Sequence, residues 1–461
     1  MNSDIRVQDA QVYLIDAVAR TPLKFGGVVM DKVIYAQARV EVETRAGKRG
    51  AGWGGMFLSY MWAFPEDRVP PQQREAAMAD LTRRYARLLV EHGRFGHPVD
   101  LYHETEEGLR ELTARVSQDH NLAVCLPFLA SLVSASPVDA AVHDAFGVAN
   151  GISSYNGYGP QFMDHDLSRY LGAEFRGAYI ADFLRPAFEP RVPVFHLVGG
   201  LDKLRRSEVD DSDPKDGLPN SLDDWIERDG LFCLKVKLRG IDLDWDVARM
   251  LEVARVAREV RARVGPHQLH FSADTNEMCE TPDYIVEFLE RVREQDPQTF
   301  DEILYVEQPT ERDLSAHRFD MRPIARLKPV LVDESLTSLA DFELAMELGW
   351  SGLALKACKC QSAELVMASK AERMGIPYSI QDLTNPALAL LQSVGMAARL
   401  HPIMGVEANS HQFYPAFSAP EAAVHPGIFQ RREGMLDTSS LQGPGLGYQM
   451  ERIQRDLPPP S

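Results

Sequence analysis

The chain reads as an α/β protein, a (β/α)8-type barrel (a modified TIM barrel) carrying an N-terminal α+β capping domain. Three observations predict this. From 192 to about 407, short apolar runs alternate with amphipathic helical patterns, eight times over. Residues 8–58 instead carry the alternation of a small antiparallel sheet. At 461 residues the chain exceeds one small core, so a barrel plus a cap is the expected division. A doubly wound sheet is the alternative, but no G-x-G-x-x-G follows any of the apolar runs.

The elements follow in order. Residues 12–15 form one strand and 32–43 a second, with Val33, Tyr35, Ala38, Val40 and Val42 against polar neighbours. Residues 45–48 turn the chain, and 50–55 read as a return strand running into a glycine-rich loop. Residues 21–27 read as a mobile loop between the first strands. Helical patterns occupy 73–92, 104–118 and 122–134. A fourth helix opens with Ser136 as N-cap and Pro137 at its first position, and Gly147 is expected to stop it. Irregular connections span 151–190 and 205–220. The barrel strands are expected at 192–198, 232–238, 268–272, 303–306, 330–332, 353–355, 377–380 and 403–406. Four regions result: a cap at 1–150, a linking insertion at 151–191, the barrel at 192–408, and a tail at 409–461 that packs back on the cap.

Composition excludes several functions. Lys+Arg 49 against Asp+Glu 67 gives a net charge of −18, which opposes nucleic acid and anionic membrane as partners. The N-terminus lacks an apolar signal core, and the most apolar run, 122–133, is too short to span a bilayer. Five scattered cysteines without metal-type spacing fit reduced thiols, hence a cytoplasmic location.

The chemistry sits at the ends of the strands. In the second, Lys235 and Lys237 share a face, since side chains alternate along a strand. Two such ammonium groups on an apolar strand persist only if their face opens onto something anionic. The third strand ends at Asp274, with Asn276 beyond it. The fourth ends at Glu307, the fifth at Asp333-Glu334, and the sixth at Lys356. The spacings are 37 (237 to 274), 33 (274 to 307), 26 (307 to 333) and 23 (333 to 356), each about one βα unit. All five groups therefore return to one rim. Three carboxylates there call for a cation, and oxygen-only ligation points to Mg²⁺, with Mn²⁺ possible. Lys237, beside a second ammonium group, is expected to have a lowered pKa and so to act as a base. Lys359 competes with Lys356 for the second position; period and strand end favour Lys356. Asp382 and Glu407, at the ends of the seventh and eighth strands, are candidates for either substrate contact or structural hydrogen bonding. His196, His401 and His411 read as structural.

These motifs resemble the enolase superfamily, and within it the muconate lactonizing enzyme subgroup of the mandelate racemase-like enzymes. The resemblance rests on residues 136–147 as the last helix of the cap, Lys-x-Lys at 235 and 237, Asp-x-Asn at 274 and 276, Glu-Gln-Pro at 307–309 and Asp-Glu-Ser at 333–335. It implies that Asp274, Glu307 and Asp333 hold Mg²⁺, and that Lys237 and Lys356 work as acid and base on opposite substrate faces. Lys235 would tune Lys237 and touch the substrate carboxylate. Asn276 and Glu334 would support the ligands and lysines. Phe25, Tyr60 and Trp62 would fall on two loops that close over the site and shape specificity. The implied reaction abstracts the α-proton of a small-molecule carboxylate to a metal-stabilised enediolate. Racemisation or epimerisation follows, or alternatively dehydration, another β-elimination or cycloisomerisation. A homo-oligomer is implied as well. No histidine ends the seventh strand, which favours the two-lysine subgroup. A non-catalytic scaffold that kept the fold is the alternative of another class.

Overall fold

The structure, a computed structural model, describes residues 1–25, 28–265 and 267–461, and the side chains at 23–30 lie outside that description. Strands β1 (Ile5–Phe25), β2 (Val28–Thr44) and β3 (Arg49–Phe57) form an antiparallel sheet in that order. Val33, Tyr35, Ala38, Val40 and Val42 are all buried in it. Two expectations change here. β1 continues through Thr21 to Phe25 where a loop is expected, and Gly26 and Gly27 lie outside the described residues. The glycines at 50–55 make no loop but sit inside β3.

Four helices follow: α1 (Tyr60–Ala63), α2 (Pro71–His92), α3 (Pro98–Asp119) and α4 (Phe128–Asn150). The glycines of β3 exist for α4. A Cβ at Gly52 would overlap the backbone of Ala141 and Ala145, and one at Gly54 would overlap Pro137 and Ala141. The helix therefore lies with its backbone directly on the strand.

α4 merges two helices that the sequence predicts separately. Pro137 lies inside it and cannot donate to the carbonyl of Val133. The Ser136 hydroxyl donates to that carbonyl instead, at 2.9 Å, so the break is bridged. Nor does Gly147 end the helix, which runs to Asn150 and closes at Gly151 with φ of 70°. Gly147 serves a close approach, since a Cβ there would overlap Ser154 and Gly445.

The barrel comprises β4 (Arg191–Val198), β5 (Cys233–Lys237), β6 (His270–Asp274), β7 (Ile303–Glu307), β8 (Val330–Val332), β9 (Gly352–Lys356), β10 (Tyr378–Gln381) and β11 (Val406–Glu407). Each pairs in parallel with the next, and β11 pairs with β4 to close the ring. A short strand, β12 (Met435–Asp437), adds antiparallel to β4. β6 starts two residues later than expected and so ends on Asp274 itself. Among the described residues, no helix is long and apolar enough to cross a membrane.

α4 also meets the barrel, through a buried polar joint. Ser362, in the helix Gln361–Met374, donates from its hydroxyl to Asp139 at 2.7 Å and from its backbone N–H to the same carboxyl at 3.1 Å. His143 Nε2 lies 2.7 Å from the Ser362 hydroxyl, and the Tyr158 hydroxyl 2.8 Å from His143 Nδ1. The Gln361 amide donates to the Tyr158 oxygen at 2.9 Å. These bonds close consistently if His143 is neutral with its proton on Nε2. Burial holds it so, pulling its pKa down to about 3 and pushing that of Asp139 up to about 6.

Candidate active site

A cavity of about 700 Å³ opens at the C-terminal ends of the barrel strands. Its floor is the barrel rim. Its roof comes from β1 (Arg20, Thr21, Pro22) and from Ser59, Met61 and Trp62 around α1. The two-residue alternation of β5 turns Lys235 and Lys237 inward. Lys237 faces Asp274 in the strand register, and Asp274 faces Glu307, so three charged groups stand in one row.

Lys235 sits at the barrel axis. Its ammonium group donates to Glu307 and to Glu407, both at 2.8 Å, and lies 3.1 Å from Asp274. Lys237 pairs with Asp274. Across the ring, Lys356 lies 2.7 Å from Asp333 Oδ2, and Lys359 donates to the Asp333 carbonyl at 2.6 Å and to Oδ1 at 3.1 Å. The expected picture of two ammonium groups awaiting a substrate anion is thereby corrected. The anionic partners of Lys235 are carboxylates of the barrel itself, from strands on either side of it. Lys235 is buried, and its charge is spent on them.

Electrostatics follow from this packing. Burial raises Asp274, but Lys237 and Lys235 outweigh it and hold the carboxyl down at about 2. Burial likewise opposes ionisation of Asp333, yet Lys356 and Lys359 hold it well below the usual range. Burial pulls the Lys356 ammonium down, and Asp333 more than reverses that, so the group stays protonated. Glu307 is pushed up to about 7 and Asp382 to about 8, both mainly by burial. Glu334 is raised well above its ordinary value by burial and then by Asp333.

The charges do not balance. Asp274, Glu307, Asp333, Glu334, Asp382 and Glu407 are six carboxyl groups; Lys235, Lys237, Lys356 and Lys359 are four ammonium groups. The excess of two is the charge of one divalent cation. The donor set is all oxygen, and among the described residues the buried Glu334 Oε2 has no partner. Both features suit a hard cation. Among the described residues, no three His, Cys, Asp or Glu side chains already converge on one point, because ammonium groups stand between the carboxylates.

The predicted residues separate into groups. Asn276 supports Asp274, donating from its backbone to Oδ1 at 2.8 Å. Asp382 accepts from the backbone of Thr384 at 2.9 Å and lines the cavity with Glu407. Trp62 donates to Glu334 at 2.9 Å, and its ring centroid lies 4.9 Å from the Lys356 ammonium and 5.9 Å from that of Lys359. Tyr60 is a correction: it does not line the cavity, because its ring is held under the Arg74 guanidinium, 4.8 Å away, within the cap. The side chain of Phe25 lies outside the described residues. Lys359, buried against Asp333, does not line the cavity, whereas Lys356 does.

Four supporting residues escape a reading of the sequence. Gln381 donates to Glu307 at 2.6 Å while accepting from Lys235 at 3.4 Å. Gln308 accepts from the Asp333 backbone at 2.8 Å and donates to Ser335 at 2.7 Å, tying one motif to the next. Arg312 grips Glu277 and donates to the Trp62 carbonyl at 3.1 Å, which holds α1 over the site. Arg20 joins β1 to the 205–220 segment through Asp216 at 2.5 Å and Asn220 at 2.7 Å. Only Gln381 and Gln308 carry a signal, their place at a strand end.

A family model described as Enolase C-terminal domain-like matches residues 218–454, just over half the chain. No curated protein matches. Solved structures share the fold. A dipeptide epimerase from Enterococcus faecalis V583, complexed with Mg and the dipeptide L-Leu-L-Tyr, aligns over 96% of this chain and 99% of its own, at 16% identity and a TM-score of 0.59. An enolase from Bradyrhizobium, complexed with magnesium and mandelic acid, aligns over 97% and 96%, at 16% identity and a TM-score of 0.60. A mandelate racemase/muconate lactonizing protein from Herpetosiphon aurantiacus aligns over 88% and 89%, at 16% identity and a TM-score of 0.54.

Proposed function

The chain belongs to the Enolase C-terminal domain-like family, and from that premise we propose that it takes an α-proton from a carboxylate substrate and returns one, a racemisation or epimerisation. One observation carries this reading. Lys237 and Lys356 end the second and sixth strands of an eight-stranded ring, so they face each other across one cavity. A substrate between them presents one face to each.

The roles follow from surroundings. Lys237, with 17% of its side chain exposed, is the more open of the two and is placed to accept the proton. Lys356, kept protonated by Asp333, is placed to donate to the opposite face. Trp62 and α1 cover the second lysine and exclude water from it. Lys235 cross-links Asp274, Glu307 and Glu407 and so holds the carboxylate row in place.

Asp274, Glu307 and Asp333 would hold Mg²⁺, and Mn²⁺ takes the same oxygen donors. The charge excess of two and the unpartnered Glu334 oxygen support that assignment. Bound there, the cation supplies Lewis-acid stabilisation of the negative charge that develops as the α-proton leaves. The neighbours solved with magnesium fit this reading. A small carboxylate suits the enclosed cavity better than any macromolecule, and the net charge of −18 opposes nucleic acid.

The test is α-proton exchange. The Mg²⁺-loaded protein in D₂O, given N-acyl amino acids and acid sugars, is expected to wash out the α-proton signal in NMR without loss of substrate. Appearance of a 2-keto acid would replace epimerisation with β-elimination. Exchange equal to a protein-free control across the set would defeat the proposal.

A further inference from the structure

The cavity is larger than its chemistry needs. About 700 Å³ is the size of sites that enclose drug-sized ligands, whereas the carboxylate and α-carbon occupy only the floor. The remaining space leads outward past three exposed apolar side chains. Leu201 is 65% exposed, Ile241 69% and Met278 49%, and all three line the cavity. They stand on the loops that follow β4, β5 and β6, so they adjoin around the rim. The loops carrying the last two meet at Gly240, the neighbour of Ile241, where an added Cβ would come 2.9 Å from the Met278 Cβ.

Charged groups at the same mouth are already committed. Arg20 is paired with Asp216. Lys203 donates to Asp210 at 3.0 Å and Asp213 at 2.6 Å. Arg239 reaches Asp242 at 3.2 Å and lies over the Trp245 ring. Two of the amides are also used: Asn220 accepts from Arg20 and donates to the Pro214 carbonyl, and Asn409 donates to Glu407 while accepting from the Leu197 N–H. A second anionic group would find these cations engaged elsewhere.

Building on the function proposed above, we infer that the acid seated between Lys237 and Lys356 is a monocarboxylate whose far end is a neutral apolar chain lying on Leu201, Ile241 and Met278. Burial of methylene groups against this rim supplies the discrimination. The apolar rim thereby disfavours a second charged group at the far end of the substrate.

Calorimetric titration tests this without relying on turnover. The Mg²⁺-loaded protein is titrated with straight-chain monocarboxylates from butanoate to decanoate, and with α,ω-dicarboxylates of matched length. Kd is expected to fall at least about threefold for every two methylenes added, and each dicarboxylate to bind about tenfold more weakly than its monocarboxylate. The double variant Leu201→Glu, Ile241→Glu, at exposed positions that folding tolerates, is expected to flatten the trend. A Kd independent of length, or tighter binding of the dicarboxylates, overturns the inference. So does a double variant that keeps the trend and only changes the oligomeric state by light scattering, since the rim would then be a contact between copies. A length trend without α-exchange counts against the proposed reaction alone; exchange with a flat trend counts against the apolar tail alone.

Discussion

Two polar clusters, the joint buried under α4 and the floor of the cavity, solve the same problem in opposite ways. The joint between α4 and the barrel holds a single carboxyl group and no cation: His143, Ser362, Asp139 and Tyr158 satisfy one another, and burial keeps the imidazole uncharged. The barrel floor is ionic, with four ammonium groups set against six carboxyl groups. A network with at most one charge costs less to bury once every donor has its acceptor. An ionic one is expensive to desolvate and weak evidence for stability. The contrast separates a cluster that holds the parts together from one that holds charge ready for chemistry.

Substitutions break this comparison from either side. The largest effect is expected at Lys237→Ala, which should lower α-exchange per molecule by about 10²–10⁴-fold, while the joint remains intact by near-UV circular dichroism. Exchange within twofold of wild type would remove Lys237 from the reaction. A smaller effect is expected at Ser362→Ala, which strips Asp139 of its hydroxyl donor and His143 of its Nε2 partner. Urea unfolding should show a loss of about 1–3 kcal/mol, with exchange per folded molecule unchanged. Equal losses of exchange and stability there would mean that the joint participates in catalysis.

The smallest effect is a pH slope, and its sign follows from linkage. Asp139 in the joint and Glu307 in the floor both have folded pKa values raised by burial, to about 6 and about 7. A raised carboxyl contributes stability that is complete below its unfolded pKa, near 4, and is lost as pH rises through the folded value. In cation-free protein Asp139 should therefore cost stability from about pH 4 to 6 and Glu307 from about pH 4 to 7, each at most about 1.4 kcal/mol per unit. Asp139→Asn should remove the share of the slope that Asp139 adds below about pH 6 and leave that of Glu307. Added Mg²⁺ should flatten the Glu307 share. Thermal melts across that range, with and without the cation, check both halves.

The ring of strands is legible in the sequence because each apolar run ends on a charged residue at βα spacing. Lys237, Asp274, Glu307, Asp333 and Lys356 are all strand-end groups or one residue beyond, and such positions are local information. What Lys235 touches is not local. Glu407 and Gln381 lie on strands that become its neighbours only when the ring closes through β4 and β11. The continuity of α4 is hidden for a related reason. Pro137 after serine looks like a helix start, and only the fold shows the Ser136 hydroxyl serving the carbonyl that proline leaves. The glycines of β3 look like a loop until a helix is placed on them. Tyr60 and Trp62 are two residues apart on one short helix, and nothing in the chain tells which ring faces the cavity.

The seating of α4 has a mechanical consequence. Helices slide past one another by repacking side chains, but at Gly52 and Gly54 no side chain separates strand from helix. The other flank of α4 is pinned through Ser362. This single helix is thus clamped to both halves of the molecule, and the two halves behave as one casting. A ligand cannot enter by the parting of sheet and barrel. Access then falls to the parts around the mouth, α1 held by Arg312 and β1 tied to the 205–220 segment through Arg20 and Asp216.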